Sequence, residues 1–268
     1  MEKVLVLTDL HICAPDARIV GLDPSQRLRA ALDAALTPHP DAAGLILMGD
    51  LTHHGDATEY AVLREVLAPV LVPVMPMLGN HDRRDAFLAA FPHAPQTQSG
   101  HVQQAVDLET HRVITLDTLD GPPYPEGHHG GRLCAARLAF LENALEDKGA
   151  RRALVCMHHP PITTGIPGMD QIMLANGDVV LRLLAQFPDT HLLLGHLHRT
   201  ISGRTGGVSW TILKSPCHQG VLDLQSFNAH LSTNEPGAYG VVLMSNDSTI
   251  VHSEDVDVPG RQVFGGYG

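Results

Sequence analysis

Met77-Leu78-Gly79-Asn80-His81-Asp82 is the stretch on which the reading of this chain turns. It ends the apolar run Leu71 to Leu78, so an asparagine and a histidine stand side by side where a strand gives way to a turn. Upstream, Val4 to Leu7 ends at Thr8-Asp9-Leu10-His11, and Leu45 to Met48 ends at Gly49-Asp50. Downstream, Ala153 to Met157 ends at His158-His159, and His191 to Leu194 ends at Gly195-His196-Leu197-His198. Each apolar run delivers an oxygen or imidazole ligand at its carboxyl end, where ligands gather in layered α/β folds.

The bulk properties narrow the function. The 268 residues are enough for one large core, and 44% of them are hydrophobic. A net charge of −11 excludes a nucleic-acid surface, which needs clustered Lys and Arg. It leaves room for an anionic substrate, because bound cations reverse the local field. Cys13, Cys134, Cys156 and Cys217 show no CxxC spacing, so neither a zinc ribbon nor a disulfide framework is expected. The first apolar run is too short for a signal peptide and no run reaches a membrane span, so a soluble cytoplasmic protein without membrane contact is expected.

Strand and helix signals alternate through the first two thirds. Ser25 is read as the cap of a helix over Gln26 to Leu36, and Thr58 as the cap of one ending at Leu67. Pro73 and Pro76 make the run over Val70 to Leu78 an edge or bulged strand rather than a central one, and a helix over Asp82 to Phe91 follows. His101 to Leu108 and Arg112 to Leu116 read as paired strands, Asp120 to Arg132 as a loop, Leu133 to Asp147 as an amphipathic helix, and Asp178 to Phe187 as another. Beyond residue 200 the signals are of strands alone: Val208 to Leu213, Gly220 to Leu224, Tyr239 to Met244 and Ser248 to His252. This pattern predicts one layered α/β domain over 1–268 with two sheets. Its parts are a ligand-bearing core over 1–200, a strand-rich part over 201–258, and a Gly-rich tail over 259–268.

The candidate ligands are Asp9, His11, Asp50, Asn80, His158, His196 and His198. Asp-x-His and His-x-His spacings let both side chains of a pair reach one side of an extended loop. Mixed nitrogen and oxygen donors suit Zn, Mn, Fe or Co rather than Ca or Mg. The set is too large for one tetrahedral ion, which points to two divalent or trivalent metal ions sharing a carboxylate. Such pairs lie roughly 3.5–4 Å apart and clamp an in-line displacement, with a bridging hydroxide as nucleophile.

In this order, D-x-H, GD, GNHD, a histidine at a strand end and GH-x-H resemble the calcineurin-like metallophosphoesterases, from about Val4 to Arg199. The resemblance implies a four-layer αββα sandwich of two mixed sheets flanked by helices. It also implies that Asp9, His11 and His198 hold one metal, Asp50 bridges, and Asn80, His158 and His196 hold the second. Asn80 and His81 would border the substrate. His81 would face the phosphoryl group, to hydrogen-bond one of its oxygens or to protonate the leaving alkoxide, with Asp82 orienting His81. Compact length and the N-terminal Asp-x-His resemble the bacterial cyclic-nucleotide and glycerophosphodiester phosphodiesterases. Met169-Asp170 with Asn176 is similar to the second of these. His218 falls where such enzymes place a second phosphate-facing histidine, and Leu224 to Tyr239 where relatives build contacts of a homo-oligomer, dimer or higher.

Other polar residues are read as structural. His53 and His54 are expected on a loop surface, His128 and His129 in solvent, His159 in a turn, and Cys13 as a packed thiol. The expected activity is hydrolysis of a small phosphodiester. The alternatives are a phosphomonoesterase or phosphoprotein phosphatase, for which Arg83 and Arg84 are the available cations, and a silent scaffold on the same fold. A metallo-β-lactamase-type site would need H-x-H-x-D-H, which the chain lacks.

Overall fold

Along Glu2–Leu7 (β1), Val4 and Val6 enter one core and Leu5 and Leu7 another, as the two-residue period of a strand buried on both faces requires. The computed structural model describes residues 1–262. After β1 come α1 (Pro24–Leu36), β2 (Gly44–Met48), α2 (Ala57–Leu67), β3 (Val74–Met77), α3 (Arg84–Ala90), β4 (Gln104–Asp107) and β5 (His111–Leu116). Then follow α4 (Ala135–Glu146), β6 (Arg152–Met157), α5 (Gly177–Leu184), β7 (Thr190–Leu194), β8 (Ile201–Thr205) and β9 (Val208–Ile212). The two-residue strands β10 (Gln219–Gly220) and β11 (Ser232–Thr233) pair with each other, and β12 (Ala238–Met244) and β13 (Thr249–Asp255) end the fold.

One sheet runs β13-β12-β1-β2-β3 and the other β4-β5-β6-β7-β9-β8. Both are mixed: β1, β2 and β3 are parallel, as are β5, β6, β7 and β9, while β12, β13, β4 and β8 pair antiparallel. Leu5, Leu7, Leu45 and Leu47 pack on Leu28 and Leu32 of α1, Leu63 of α2 and Phe87 of α3. Val4, Val6, Ile46 and Met48 belong to the core shared with the second sheet, Leu141 of α4 and Val180 of α5. These layers form the expected αββα sandwich. The carboxyl ends of β1, β2, β3, β6 and β7 carry the candidate ligands.

Several local expectations shift. Asp23, not Ser25, caps α1, and its carboxylate accepts from the amides of Ser25 and Gln26 at 3.0 and 3.1 Å. Pro24 then takes the first helical position, where its missing N–H costs nothing. Helix α2 starts at Ala57 behind Asp56, so Thr58 lies within its first turn. Strand β3 is the edge strand that its prolines demand, yet it is confined to Val74–Met77. The pairing expected over Gly220 to Leu224 stops at Gly220, and Leu222 and Leu224 are exposed. Residues 263–268 of the expected tail lie outside the described residues. Among the described residues no helix is long and apolar enough to cross a membrane.

Candidate metal centre

Five of the strand-end residues hold a left-handed backbone: φ is 57° at Asp9, 47° at His11, 47° at Asp50, 73° at His196 and 51° at His198. Asp and His tolerate this region better than most residues, but each visit still costs about 1–2 kcal/mol. Backbone bonds offset the strain: the amide of Asp9 donates to Gly49 O at 3.0 Å and that of His11 to Asp50 O at 2.9 Å. Strain gathered on the residues with ligand chemistry marks a functional site. Two glycines permit the close approach. A Cβ at Gly79 would collide with the Asp50 carboxylate, and one at Gly195 would strike the Thr8 hydroxyl and lie 2.9 Å from Asp9 Oδ2.

The loops bring the seven candidate ligands together. Asp9 Oδ1 lies 3.2 Å from His198 Nε2 and 3.9 Å from His158 Nε2. Asp50 Oδ2 lies 3.2 Å from His158 Nε2 and 3.7 Å from His11 Nε2, so this carboxylate faces imidazoles of both expected sets. His11 Nε2 and His198 Nε2 face each other at 3.1 Å. The far side of most rings is committed to a carbonyl: His158 Nδ1 to Met48 O at 3.0 Å, His198 Nδ1 to His218 O at 2.8 Å, and His196 Nε2 to Ile172 O at 3.0 Å. Each carbonyl must accept a proton from its ring, which leaves the opposite nitrogen of the neutral ring as a lone pair.

This donor set fits a pair of cations. Asn80 Oδ1 is buried without a hydrogen-bond partner among the described residues, a costly state that a cation would relieve, and the buried His158 Nε2 faces the Asp50 and Asp9 carboxylates at 3.2 and 3.9 Å. The charges agree. Burial opposes the ionised form of Asp50, yet His158 and His81 hold its carboxyl well below the usual range. Burial likewise opposes a charged His158, but Asp50 and Asp9 outweigh it and lift the ring to about 9. Burial and neighbouring His158 push His196 down to about 3, and burial and His81 hold His11 well below an ordinary histidine. Burial also opposes a charged His198, yet Asp9 draws it upward, so two buried carboxylates that already pull positive charge onto His158 and His198 form a cradle for cations.

A calcineurin-like phosphoesterase model matches residues 2–200. The chain belongs to this family. It is 42% identical over 254 residues to a probable cyclic nucleotide phosphodiesterase of Rhodopseudomonas palustris, a match covering 93% of this chain and 91% of that one. It is 30% identical to the 3′,5′-cyclic adenosine monophosphate phosphodiesterase CpdA of Pseudomonas aeruginosa over 80% of this chain and 75% of the relative. A glycerophosphodiester phosphodiesterase, GpdQ of Enterobacter lignolyticus, is 32% identical over 69% of this chain and 65% of its own. A dimetal phosphatase of Danio rerio superposes with a TM-score of 0.71 at 12% identity, covering 95% and 96% of the two chains, a likeness of fold.

Around this phosphoesterase centre the structure redistributes several roles. His81 lines the cavity, and its Nδ1 lies 2.7 Å from His53 O. Asp82 does not orient it. Buried behind the turn, the Asp82 carboxylate accepts from the amides of Leu51, Thr52 and Gly79 at 3.1, 3.2 and 3.0 Å and from the Tyr60 hydroxyl at 2.9 Å. Burial and the neighbouring Asp50 raise its carboxyl to about 6. His218 does reach the site, with its ring centroid 4.4 Å from that of His198. Asn176 instead bonds the backbone of Leu133 at 3.1 and 2.8 Å, and Asp170 bonds Thr164 and Gly165. Arg84 is buried, with two nitrogens on Asp117 at 2.8 and 2.9 Å.

Two histidines expected at the surface prove to be walls of the site. His53 places Nδ1 3.1 Å from His11 Nδ1 and stacks on His81 with centroids 5.1 Å apart. His129 places Nδ1 3.0 Å from Asn80 Nδ2. Neither follows a strand, so apolar periodicity could not find them. The adjacency of His53 to Asp50-Leu51-Thr52 was the one usable signal. His159 shapes a turn as expected, its ring nitrogens committed to Thr118 Oγ1 at 2.8 Å and His129 O at 3.2 Å.

Proposed function

We propose that the protein is a dinuclear metal-dependent phosphodiesterase acting on a small diester, with a cyclic nucleotide favoured over a glycerophosphodiester. The observation that carries this reading is the convergence of Asp9, His11, Asp50, Asn80, His158, His196 and His198, with Asn80 Oδ1 buried and unpartnered among the described residues. Asp9, His11 and His198 would hold one cation and Asn80, His158 and His196 the other, with Asp50 between them. Bound there, the cations supply Lewis-acid chemistry, lowering the pKa of water and offsetting charge on the phosphoryl oxygens.

The chain's own residues do the rest. When the Nδ1–H of His81 donates to His53 O at 2.7 Å, the ring is held so that its imidazolium form gives the Nε2 proton to the departing alkoxide and is left neutral, with its remaining proton on Nδ1. His218, beside His198 at the cavity wall, is placed to donate to a non-bridging phosphoryl oxygen. Ile166, Met169, Ile172 and Leu231 contribute apolar lining to the roughly 360 Å³ cavity, suited in size and character to the organic part of a small diester. A monoester dianion would call on arginines; Arg84 is already engaged by Asp117, and Arg83 lies over the Tyr124 ring at 4.6 Å and donates to Asp82 O at 3.3 Å. The 42% identity to a probable cyclic nucleotide phosphodiesterase over nearly the whole of both chains favours that substrate class over the shorter glycerophosphodiesterase match.

The test is protein stripped with chelator, reloaded with Mn²⁺, and assayed on 3′,5′-cyclic AMP, glycerophosphoethanolamine and a phosphomonoester. Metal-dependent turnover of the diesters, fastest on the cyclic nucleotide, is expected. Turnover without metal, or of the monoester alone, would overturn the reading.

A further inference from the structure

We infer that His129 is a positioning residue that selects which end of the Asn80 amide faces the cations. The inference rests on the proposal that Asn80 is a metal ligand, and goes beyond it by assigning the control of that ligand to a loop residue. An asparagine side chain is nearly symmetric in shape and opposite in chemistry at its two ends. Its carbonyl oxygen can bind a cation and its amino group cannot. The backbone of the Gly79-Asn80-His81 turn does not choose between them, so a neighbouring group must.

His129 makes the choice. Asn80 Nδ2 lies 3.0 Å from His129 Nδ1. The amino group carries only hydrogens, so in this pairing Nδ1 accepts and the ring carries its proton on Nε2. Asn80 Oδ1 is then the end left buried and without a partner among the described residues. Had Nδ1 carried the proton it would have donated to the carbonyl oxygen, turning the amino group inward. The tautomer of His129 and the orientation of Asn80 are therefore one variable.

The ring can exert this control because its backbone is fixed from several sides. His159 Nε2 lies 3.2 Å from His129 O, the Gly131 amide donates to Met173 O at 3.2 Å, and the Ala175 amide donates to Gly131 O at 2.8 Å. Gly131 is required for this fit, since a Cβ there would collide with the His159 ring. His159 in turn is anchored through Nδ1 to Thr118 Oγ1 at 2.8 Å. The chain Thr118, His159, His129, Asn80 thus runs from the end of β5 to the metal centre, and explains why a loop rich in Gly and Pro is pinned beside it. Partners that orient a ligand in this way typically change metal affinity by about 10–100-fold when removed.

The test uses the metal-loaded protein and reads binding rather than turnover alone. Mn²⁺ is titrated into chelator-stripped wild type, His129→Phe, His129→Asn and Asn80→Ala. Calorimetry gives the two affinities and electron paramagnetic resonance reports the coupled Mn²⁺ pair. Circular dichroism establishes that each variant is folded. His129→Phe keeps the ring volume without an acceptor, and should weaken the second site about tenfold or more while the first changes less than about twofold. His129→Asn restores a carbonyl acceptor and should recover most of the loss and the coupled signal, which a purely steric role for the ring would not produce. Wild-type affinity at the second site in His129→Phe, with that affinity lost in Asn80→Ala, would overturn the role of His129 alone. Unchanged affinity in Asn80→Ala would overturn the ligand assignment and this inference together.

Discussion

Replacing Asp82 with alanine separates two roles that sequence position alone confuses. As a catalytic helper of His81, Asp82 would matter for rate. The structure shows a buried carboxylate accepting from three backbone amides, at Leu51, Thr52 and Gly79, and from the hydroxyl of Tyr60. Asp82→Ala removes every one of these acceptors in a site without solvent. An orphaned buried donor costs about 1–3 kcal/mol. The Thr52 hydroxyl, 3.3 Å from the same carboxylate, is a fifth donor; water entering the vacated volume can serve some of the five, so we expect a loss of roughly 3–5 kcal/mol rather than the full sum. The amides freed at Leu51 and Gly79 adjoin Asp50 and Asn80, so metal retention should fall along with stability. Urea denaturation of stripped and loaded protein, beside turnover normalised to bound metal, measures both effects. A stable Asp82→Ala variant with full metal and a rate reduced a hundredfold would refute the structural role and restore Asp82 as the partner of His81.

Other perturbations test the remaining assignments. His81→Ala should keep both metals and slow turnover by about 10²–10⁴-fold, most for poor leaving groups; loss of metal on elemental analysis would remove His81 from the substrate side. Metal-free protein should melt highest near pH 6.5. His196, depressed to about 3, resists the protonation that unfolding allows, so its stabilisation is lost as pH falls below about 6.5. His158, raised to about 9, contributes fully below about pH 6.5 and loses that contribution as pH rises through 9. Bound metal displaces the His158 proton and should abolish the alkaline fall; calorimetric melting temperatures that stay level from pH 6.5 to 9.5 without metal would contradict this account. Finally, Leu222, Leu224 and Phe227 stand exposed at the start of the segment proposed for subunit contact. Phe227→Glu should lower the mass seen by light scattering, and a wild-type protein already monomeric at micromolar concentration would end that proposal.

The legible part of this molecule is the part governed by a period. Apolar runs that end in Asp, Asn or His identified β1, β2, β3, β6 and β7 and the seven candidate ligands that come together between their ends. Pro73 and Pro76 placed β3 at an edge because a central strand cannot spare two amides. Strand β8 escaped because it is an exposed edge with Gly203 and Arg204 and no apolar rhythm. Its one signal was the dipeptide Gly206-Gly207, whose φ values of 58° and 89° are those of a tight hairpin turn. The cap of α1 was equally available, since Pro24 at the first helical position points back to Asp23 rather than forward to Ser25.

The walls of the site follow a different logic. His53, His129 and His230 reach the cavity from loops, and a loop's path is set by tertiary bonds distant in sequence, such as His159 to His129 O. Spacing carries no information about such bonds. Asp82 shows the converse: it sits in the most legible motif of the chain, yet its neighbour in sequence is not its partner in space. His53, beside the candidate ligand Asp50, lines the cavity, and the carboxylate of Asp82, beside His81, is held by backbone amides. What separates the two cases is where each side chain finds its hydrogen bonds. The Asp82 carboxylate meets backbone amides and is fixed behind the turn, while His53 meets the His11 ring at 3.1 Å and is drawn to the candidate ligands.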